Sequence, residues 1–236
     1  MSAAVAIARS AAGGLAVTIG GVEALLRASG AMWLWQSRAL VVADLHFEKG
    51  SAYATRGQML PPYDTRDTLR RLEREVEALD PSVVVFLGDS FHDRGGEGRM
   101  APRDGEMLAA LARGRRLVWV VGNHDPEAPK ALPGEVADEV RIEGMILRHE
   151  PAEGPQRGEA AGHLHPCARV AATGGSIRRR CFVTDGARVV LPAFGAYAGG
   201  LNVRDRAFAA LFDRPPLAIV LAGDAQPIAW GRLVED

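Results

Sequence analysis

The chain has 236 residues, 47% of them hydrophobic, with 28 Lys+Arg against 29 Asp+Glu. This is enough apolar material for a large α/β core in a single domain, residues 1–236. The balanced charge marks no nucleic-acid binder and excludes none, because a local groove matters more than the sum. Two cysteines, Cys167 and Cys181, rule out a disulfide scaffold and suit buried reduced thiols. No stretch approaches a transmembrane span. The N-terminal MSAAVAIARSAAGG lacks the charged start and long apolar run of a signal peptide, so a cytoplasmic location is expected.

Residues 1–14 are rich in Ala and Gly and are expected to be flexible. Leu15–Ile19 alternates and ends in Gly20-Gly21, the pattern of a strand and turn. Glu23–Trp35 is ambiguous: EALLRASG fits a helical turn, AMWLW an apolar strand. Ala39–Ala43 reads as a buried strand. Asp64 can cap a helix through Leu79, because Leu69, Leu72, Val76 and Leu79 share one face and Arg and Glu fill the other. Asp80-Pro81 stops it before a second apolar strand, Val83–Leu87, which makes the helix the crossover of a βαβ unit. Residues 94–101 read as a Gly-rich loop. A second helix, from near Asp104 to before Gly114, feeds a third strand, Leu117–Val121.

After Pro126 the pattern changes. Glu139–Ile142 and Met145–Arg148 are short strands joined at Glu143-Gly144, followed by a polar stretch. Ala168–Ala172, Arg180–Thr184 and Arg188–Leu191 are strand candidates, with Asp185-Gly186 as a hairpin signal between the last two. Pro192–Asn202 is a Gly-rich loop and Arg204–Phe212 a short helix. Leu217–Leu221 and Pro227–Leu233 form a closing strand pair.

The three central apolar runs all stop at polar clusters: Asp44-Leu45-His46, Gly88-Asp89-Ser90-Phe91-His92-Asp93 and Gly122-Asn123-His124-Asp125. Such runs read as parallel strands delivering carboxylates to their C-terminal edge, where ligand sites of open α/β sheets lie. Period-two geometry would point Asp44 and His46 the same way. All six histidines, 46, 92, 124, 149, 163 and 165, lie in or beside such clusters. Mixed carboxylate and imidazole ligands suit Mn, Fe or Zn better than Mg or Ca. His149 in isolation would read as a hydrogen-bonded core or surface residue; its place between GNHD and Gly162-His163-Leu164-His165 favours a ligand. Cys167, beside the last pair, reads as a packed thiol.

These blocks, in this order over roughly residues 39–166, resemble the calcineurin-like metallophosphoesterase superfamily. The resemblance implies an α/β fold, a four-layer α/β/β/α sandwich of two mixed sheets. It also implies two divalent ions. Asp44, His46, Asp89 and His165 would hold one; Asp89, Asn123, His149 and His163 would hold the other, with Asp89 bridging. His124 would stabilise the transition state and protonate the leaving oxygen, with Asp125 orienting it. The implied chemistry is in-line attack by metal-bound hydroxide, without a covalent intermediate. His92 has two readings, a substrate contact or a partner of a ligand carboxylate.

A narrower resemblance covers most of the chain. ADLHFEKG, GDSFHD, GHLHP, the RRRCF run at 178–182 and LPAFGAYAGGLNV at 191–203 are similar to the bacterial ligase-associated DNA damage response endonucleases. Ala198 departs from that pattern, where threonine is more usual. The family implies Mn²⁺-dependent cutting of single-stranded DNA in repair, alongside a DNA ligase, a helicase and an exonuclease-like protein. Arg148 and Arg178 are then candidates for phosphates flanking the scissile one. The arginine run fits a solvated strand edge equally well. Phe194 and Tyr197 either stack on an unpaired base or pack a tight turn. Two other functions compete: a small-molecule phosphodiesterase or phosphatase on the same fold, and a non-catalytic scaffold, which would have eroded ligands where this chain lacks none.

Overall fold

The three motif strands are apolar at every position, and such strands need cover on both faces. The computed structural model describes residues 5–127 and 129–236. The first sheet has eight strands in sequence order: β1 (Ile7–Arg9), β2 (Leu15–Ile19), β3 (Val22–Leu26), β4 (Met32–Leu34), β5 (Ala39–Val42), β6 (Val83–Leu87), β7 (Arg116–Val120) and β8 (Glu135–Ala137). β1 to β5 pair antiparallel, and β5 to β8 parallel. The crossovers carry α1 (Lys49–Ala54), α2 (Asp64–Leu79), α3 (Gly96–Arg99) and α4 (Pro102–Leu111).

Alternation along the strands divides the core. Leu40, Val42, Val84, Phe86, Leu117 and Trp119 pack with Leu69, Leu72 and Val76 of α2 and Leu108 and Leu111 of α4. Val41, Val85, Leu87, Val118 and Val120 face the opposite way, onto the second sheet. Burying each such side chain contributes roughly 1.5–3 kcal/mol, so β5, β6 and β7 are held from both sides.

The second sheet has nine strands: β9 (Glu139–Ile142), β10 (Met145–Arg148), β11 (Glu159–Ala161), β12 (Pro166–Ala172), β13 (Gly175–Thr184), β14 (Arg188–Val190), β15 (Leu201–Asn202), β16 (Leu217–Leu221) and β17 (Ala225–Ala229). Its order is β15-β12-β13-β14-β11-β10-β9, with β16 also beside β13 and β17 beside β16. β10, β11 and β14 run parallel, while β12, β13, β16 and β17 run antiparallel to their neighbours in turn. Met145, Leu147, Phe182, Val189 and Ile219 meet the first sheet. Cys181, Val183, Val190, Ala218 and Val220 face outward beneath Phe208, Leu211 and Leu233. The expected two mixed sheets are present, but the layer outside the second is thin: the one-turn α5 (Arg206–Ala209) and a 3-10 turn at Trp230–Arg232.

Several local expectations change. Residues 1–4 of the stretch expected to be flexible lie outside the described residues, whereas Ile7–Arg9 pairs with β2. EALL is strand, not helix, because pairing with β2 and β4 overrides local preference. Asp64 is not the cap of α2; Tyr63 holds that position, and the Asp64 carboxylate accepts the Gly50 N–H at 2.9 Å. The 94–101 loop contains the single turn α3, and the stretch after His46 contains α1. Both cysteines are buried and free, as expected. Among the described residues no helix is long and apolar enough to cross a membrane.

Arg188 is fully buried in the second sheet. It donates to Glu159 at 2.6 Å and to the carbonyls of Ala152, Gly154 and Leu211 at 2.9, 3.1 and 3.0 Å. Arg188→Ala strands a buried carboxylate and should cost about 3–5 kcal/mol in urea unfolding, while replacing both partners by apolar residues should cost less.

Candidate metal centre

At the C-terminal ends of β5 and β6 the backbone leaves extended geometry at once. Asp44, His46 and Glu48 have φ of 52°, 46° and 64°, and Asp89 has 46°. His163 and His165, after β11, follow suit at 67° and 45°. The shared direction of Asp44 and His46 is therefore not strand periodicity. It comes from alternate residues in the left-handed region, which costs roughly 1–2 kcal/mol each and which Asp and His tolerate better than most. Main-chain bonds offset the cost: Asp44 N to Gly88 O at 3.2 Å, His46 N to Asp89 O at 2.9 Å and Phe47 N to Ser90 O at 2.8 Å. Strain of this kind gathers at functional sites. Two glycines permit the approach. A Cβ on Gly88 would lie 2.2 Å from His149 Nδ1, and one on Gly122 would lie 2.2 Å from Asp89 N.

All seven ligands expected from the sequence come together. Asp44, His46, Asp89 and His165 form one group whose ligand atoms lie within 4.8 Å of one another. Within it His46 Nε2 is 3.1 Å from His165 Nε2, and His165 Nε2 is 3.3 Å from Asp44 Oδ1. Beside it, Asn123 Oδ1 is 2.9 Å from both His149 Nε2 and His163 Nδ1, and His149 Nε2 is 3.4 Å from Asp89 Oδ1. Asp89 joins the two groups. Backbone amides hold both carboxylates: His163 N donates to Asp44 at 3.1 Å and His124 N to Asp89 at 2.9 Å.

The donor chemistry fits cations. His149 Nδ1 faces the Leu87 carbonyl at 3.2 Å, so in the neutral ring Nδ1 carries the hydrogen and Nε2 only a lone pair. That lone pair meets the amide oxygen of Asn123 at 2.9 Å, two acceptors that only a positive charge between them reconciles. Ligands of an ion with bonds of about 2.1 Å stand about 3 Å apart, which matches these spacings. Burial, then repulsion from neighbouring histidines and Lys49, takes His46 down to about 2, so this ring stays neutral as a ligand must. Burial likewise lowers His163 and His92. Burial also pulls on His165, but the hydrogen bond and charge of Asp44 outweigh it and raise that imidazole.

The remaining expected residues divide. The His92 ring lies 5.7 Å from those of His46 and His124, and its carbonyl is 3.0 Å from His124 Nδ1. The partner of the His124 ring is thus this carbonyl and not Asp125. The Asp125 carboxylate turns inward, accepts the Phe91 N–H at 3.0 Å, and is raised by burial to about 6. Arg148 is paired with Glu139, and Arg178 donates to the Gly200 carbonyl at 2.6 Å and lies 3.6 Å from Asp236. Both are tied to protein partners. Tyr53 on α1 lies beside His92 instead, with Lys49 next to it; Lys49 stands near the end of the ADLHFEKG block, while Tyr53, three residues beyond it, carried no sequence signal.

Six imidazoles, two carboxylates and an amide oxygen around two joined donor groups, at the C-terminal edge of a parallel sheet, define a metal-dependent hydrolase. Residues 37–170 match the model of the calcineurin-like phosphoesterases, and the chain belongs to that family. Among solved structures it is similar to Pseudomonas putida nuclease MPE, with 27% identity and a TM-score of 0.69 over 95% of this chain and 100% of that one. Yfce, a phosphoesterase from E. coli, is 18% identical with a TM-score of 0.40, covering 81% of this chain and 96% of that one. No curated protein matches the chain.

Metal removal should lower the melting temperature, because an ion at 100 times its Kd stabilises by about 2.7 kcal/mol. Metal analysis of His163→Ala should show one ion lost and Asp89→Ala both, each read against the wild-type content after equal dialysis.

Proposed function

We propose that the chain is a two-metal, Mn²⁺-dependent phosphodiesterase that cuts single-stranded DNA internally, acting as one domain in a cytoplasmic repair pathway. Support comes first from the full-length likeness to a nuclease at 27% identity. The site itself is compatible with a polymer. The side chains of His124 and His163 are 42% and 34% exposed, and the adjoining cavity of ≈ 390 Å³ has Asp138, Glu139, Arg148 and Glu150 in its lining. The sequence resemblance supports the DNA ligase, helicase and exonuclease-like protein as pathway partners.

Asp44, His46, Asp89 and His165 would hold one ion, and Asp89, Asn123, His149 and His163 the other. When bound, the pair supplies a clamp on the attacking and leaving oxygens and lowers the pKa of water between them. His124 acts beside them. A carbonyl can only accept, so the contact with His92 O puts a hydrogen on His124 Nδ1 and fixes the ring. In the doubly protonated ring Nε2, 3.9 Å from Asp89, carries the proton given to the leaving oxygen, and the ring is left neutral with its hydrogen on Nδ1. Asp125 holds the turn that carries His92, and so acts on His124 through that carbonyl.

With Mn²⁺, the wild type should cut circular single-stranded DNA, which has no ends, and Asp89→Ala should not. His124→Ala should lower kcat about 10²–10⁴-fold, with metal content unchanged. An intact circle beside hydrolysed bis-p-nitrophenyl phosphate would assign the protein to small diesters instead.

A further inference from the structure

The surroundings of the centre are electrostatically lopsided. On the Asn123 and His149 side stand Asp138, Glu139 and Glu150, and the nearby Arg148 and Arg141 are both already paired with Glu139. A polyanion leaving the centre on that side meets carboxylates. On the His46 and His92 side stands α1, which carries Lys49 and Tyr53 one helical turn apart, with Arg56 exposed in the turn just beyond its C-terminal end. The Tyr53 ring lies 5.7 Å from that of His92, tilted by 41°, and Lys49 Nζ lies 5.9 Å from the centre of the Tyr53 ring. Among the described residues, neither Lys49 nor Arg56 has a carboxylate partner, whereas Arg99, Arg148 and Arg178 each have one nearby. The charge of Lys49 acts on His46, His92 and His165, and that of Arg56 on His92.

α1 is also built to stay where it is. Glu48 and Thr65 bond reciprocally at 2.8 and 2.9 Å, Gly50 N is held by Asp64, and Ser51 Oγ accepts from Arg99 at 3.0 Å. Side chains presented from such a segment lose little entropy on binding. Cations beside an accessible aromatic ring are what a single strand needs, charge for each phosphate and a platform for an unstacked base; Lys49 and Tyr53 are half-buried and Arg56 is exposed.

We infer that Lys49, Tyr53 and Arg56 form the docking strip for a single nucleic-acid strand, the two cations holding phosphates that flank the scissile one and Tyr53 stacking a base. The assignment rests on the nuclease function proposed above, and it gives the cleft a direction: the strand is gripped on the His92 side and left free on the Glu150 side.

The test uses the full-length, metal-loaded protein, a fluorescent oligothymidylate for binding, and circular single-stranded DNA and bis-p-nitrophenyl phosphate for turnover. For Lys49→Ala/Arg56→Ala, the ratio of kcat/KM on DNA to kcat/KM on the small diester should fall at least about tenfold. The slope of log affinity against log salt should become shallower by about 1.4, two phosphates' worth. Tyr53→Leu should weaken oligothymidylate binding by about fivefold or more, while Tyr53→Phe retains it. A wild type that cuts DNA, with variants matching it in salt slope and substrate ratio, would overturn the strip and leave the nuclease function standing. Parallel loss on both substrates together with loss of metal would make α1 a mere support of the centre and also overturn it. A wild type that neither binds nor cuts DNA would sink both assignments.

Discussion

The Asp89 carboxylate is the interaction on which the rest depends. It is 2% exposed, and a carboxylate so far out of water is costly unless charge and hydrogen bonds compensate. The protein supplies one backbone N–H, from His124, and the nitrogens of His149, His46 and His124 at 3.4, 3.9 and 3.9 Å. Of these rings, burial keeps His46 neutral, so it brings no charge to the carboxylate. The divalent metals that the calcineurin-like phosphoesterases bind would complete the arrangement. Asp89 can stand there only because β6 is central, Gly88 and Gly122 carry no side chain, and the two sheets pack closely enough to bring His149, His163 and His165 across from the loops of the second.

Backbone strain and rigid packing are two sides of that design. Asp44, His46, Glu48 and Asp89 adopt left-handed geometry that isolated chains avoid, and His163 and His165 do so on the opposite loop. The cost is carried by cores that leave little freedom: alternate residues of β5, β6 and β7 are locked against α2 and α4 on one side and against the second sheet on the other. The same economy extends to Asp125. A buried acid next to the catalytic motif would suggest proton chemistry, yet its contact is the backbone of the neighbouring turn. It shapes the path of His92, whose carbonyl in turn sets the tautomer of His124.

Charge placement then separates a centre that could hydrolyse many esters from one suited to a strand. Net charge is near zero, but the distribution around the ions is not even: carboxylates gather near Asn123 and His149, unpaired cations near His46 and His92. A small diester would sample little of this asymmetry, whereas a polymer crossing the centre would experience all of it.

Much of this was legible in the amino-acid sequence. The apolar runs of β5, β6 and β7, the bounds of α2, and the seven residues that converge at the centre were readable, because each is encoded locally: a continuous apolar strand, a 3.6-residue stripe, and histidine, asparagine and aspartate at strand ends. Short strands such as β8 and β11 were not, since three residues carry no periodicity and exist only by pairing with a neighbour. Nor could spacing reveal that Asp44 and His46 converge through left-handed turns, that Asp125 faces away from His124, or that Arg148 and Arg178 are already partnered. Chemical identity is written residue by residue and survives in the sequence. Direction and partnership belong to the packing of two sheets, and only the tertiary structure decides them.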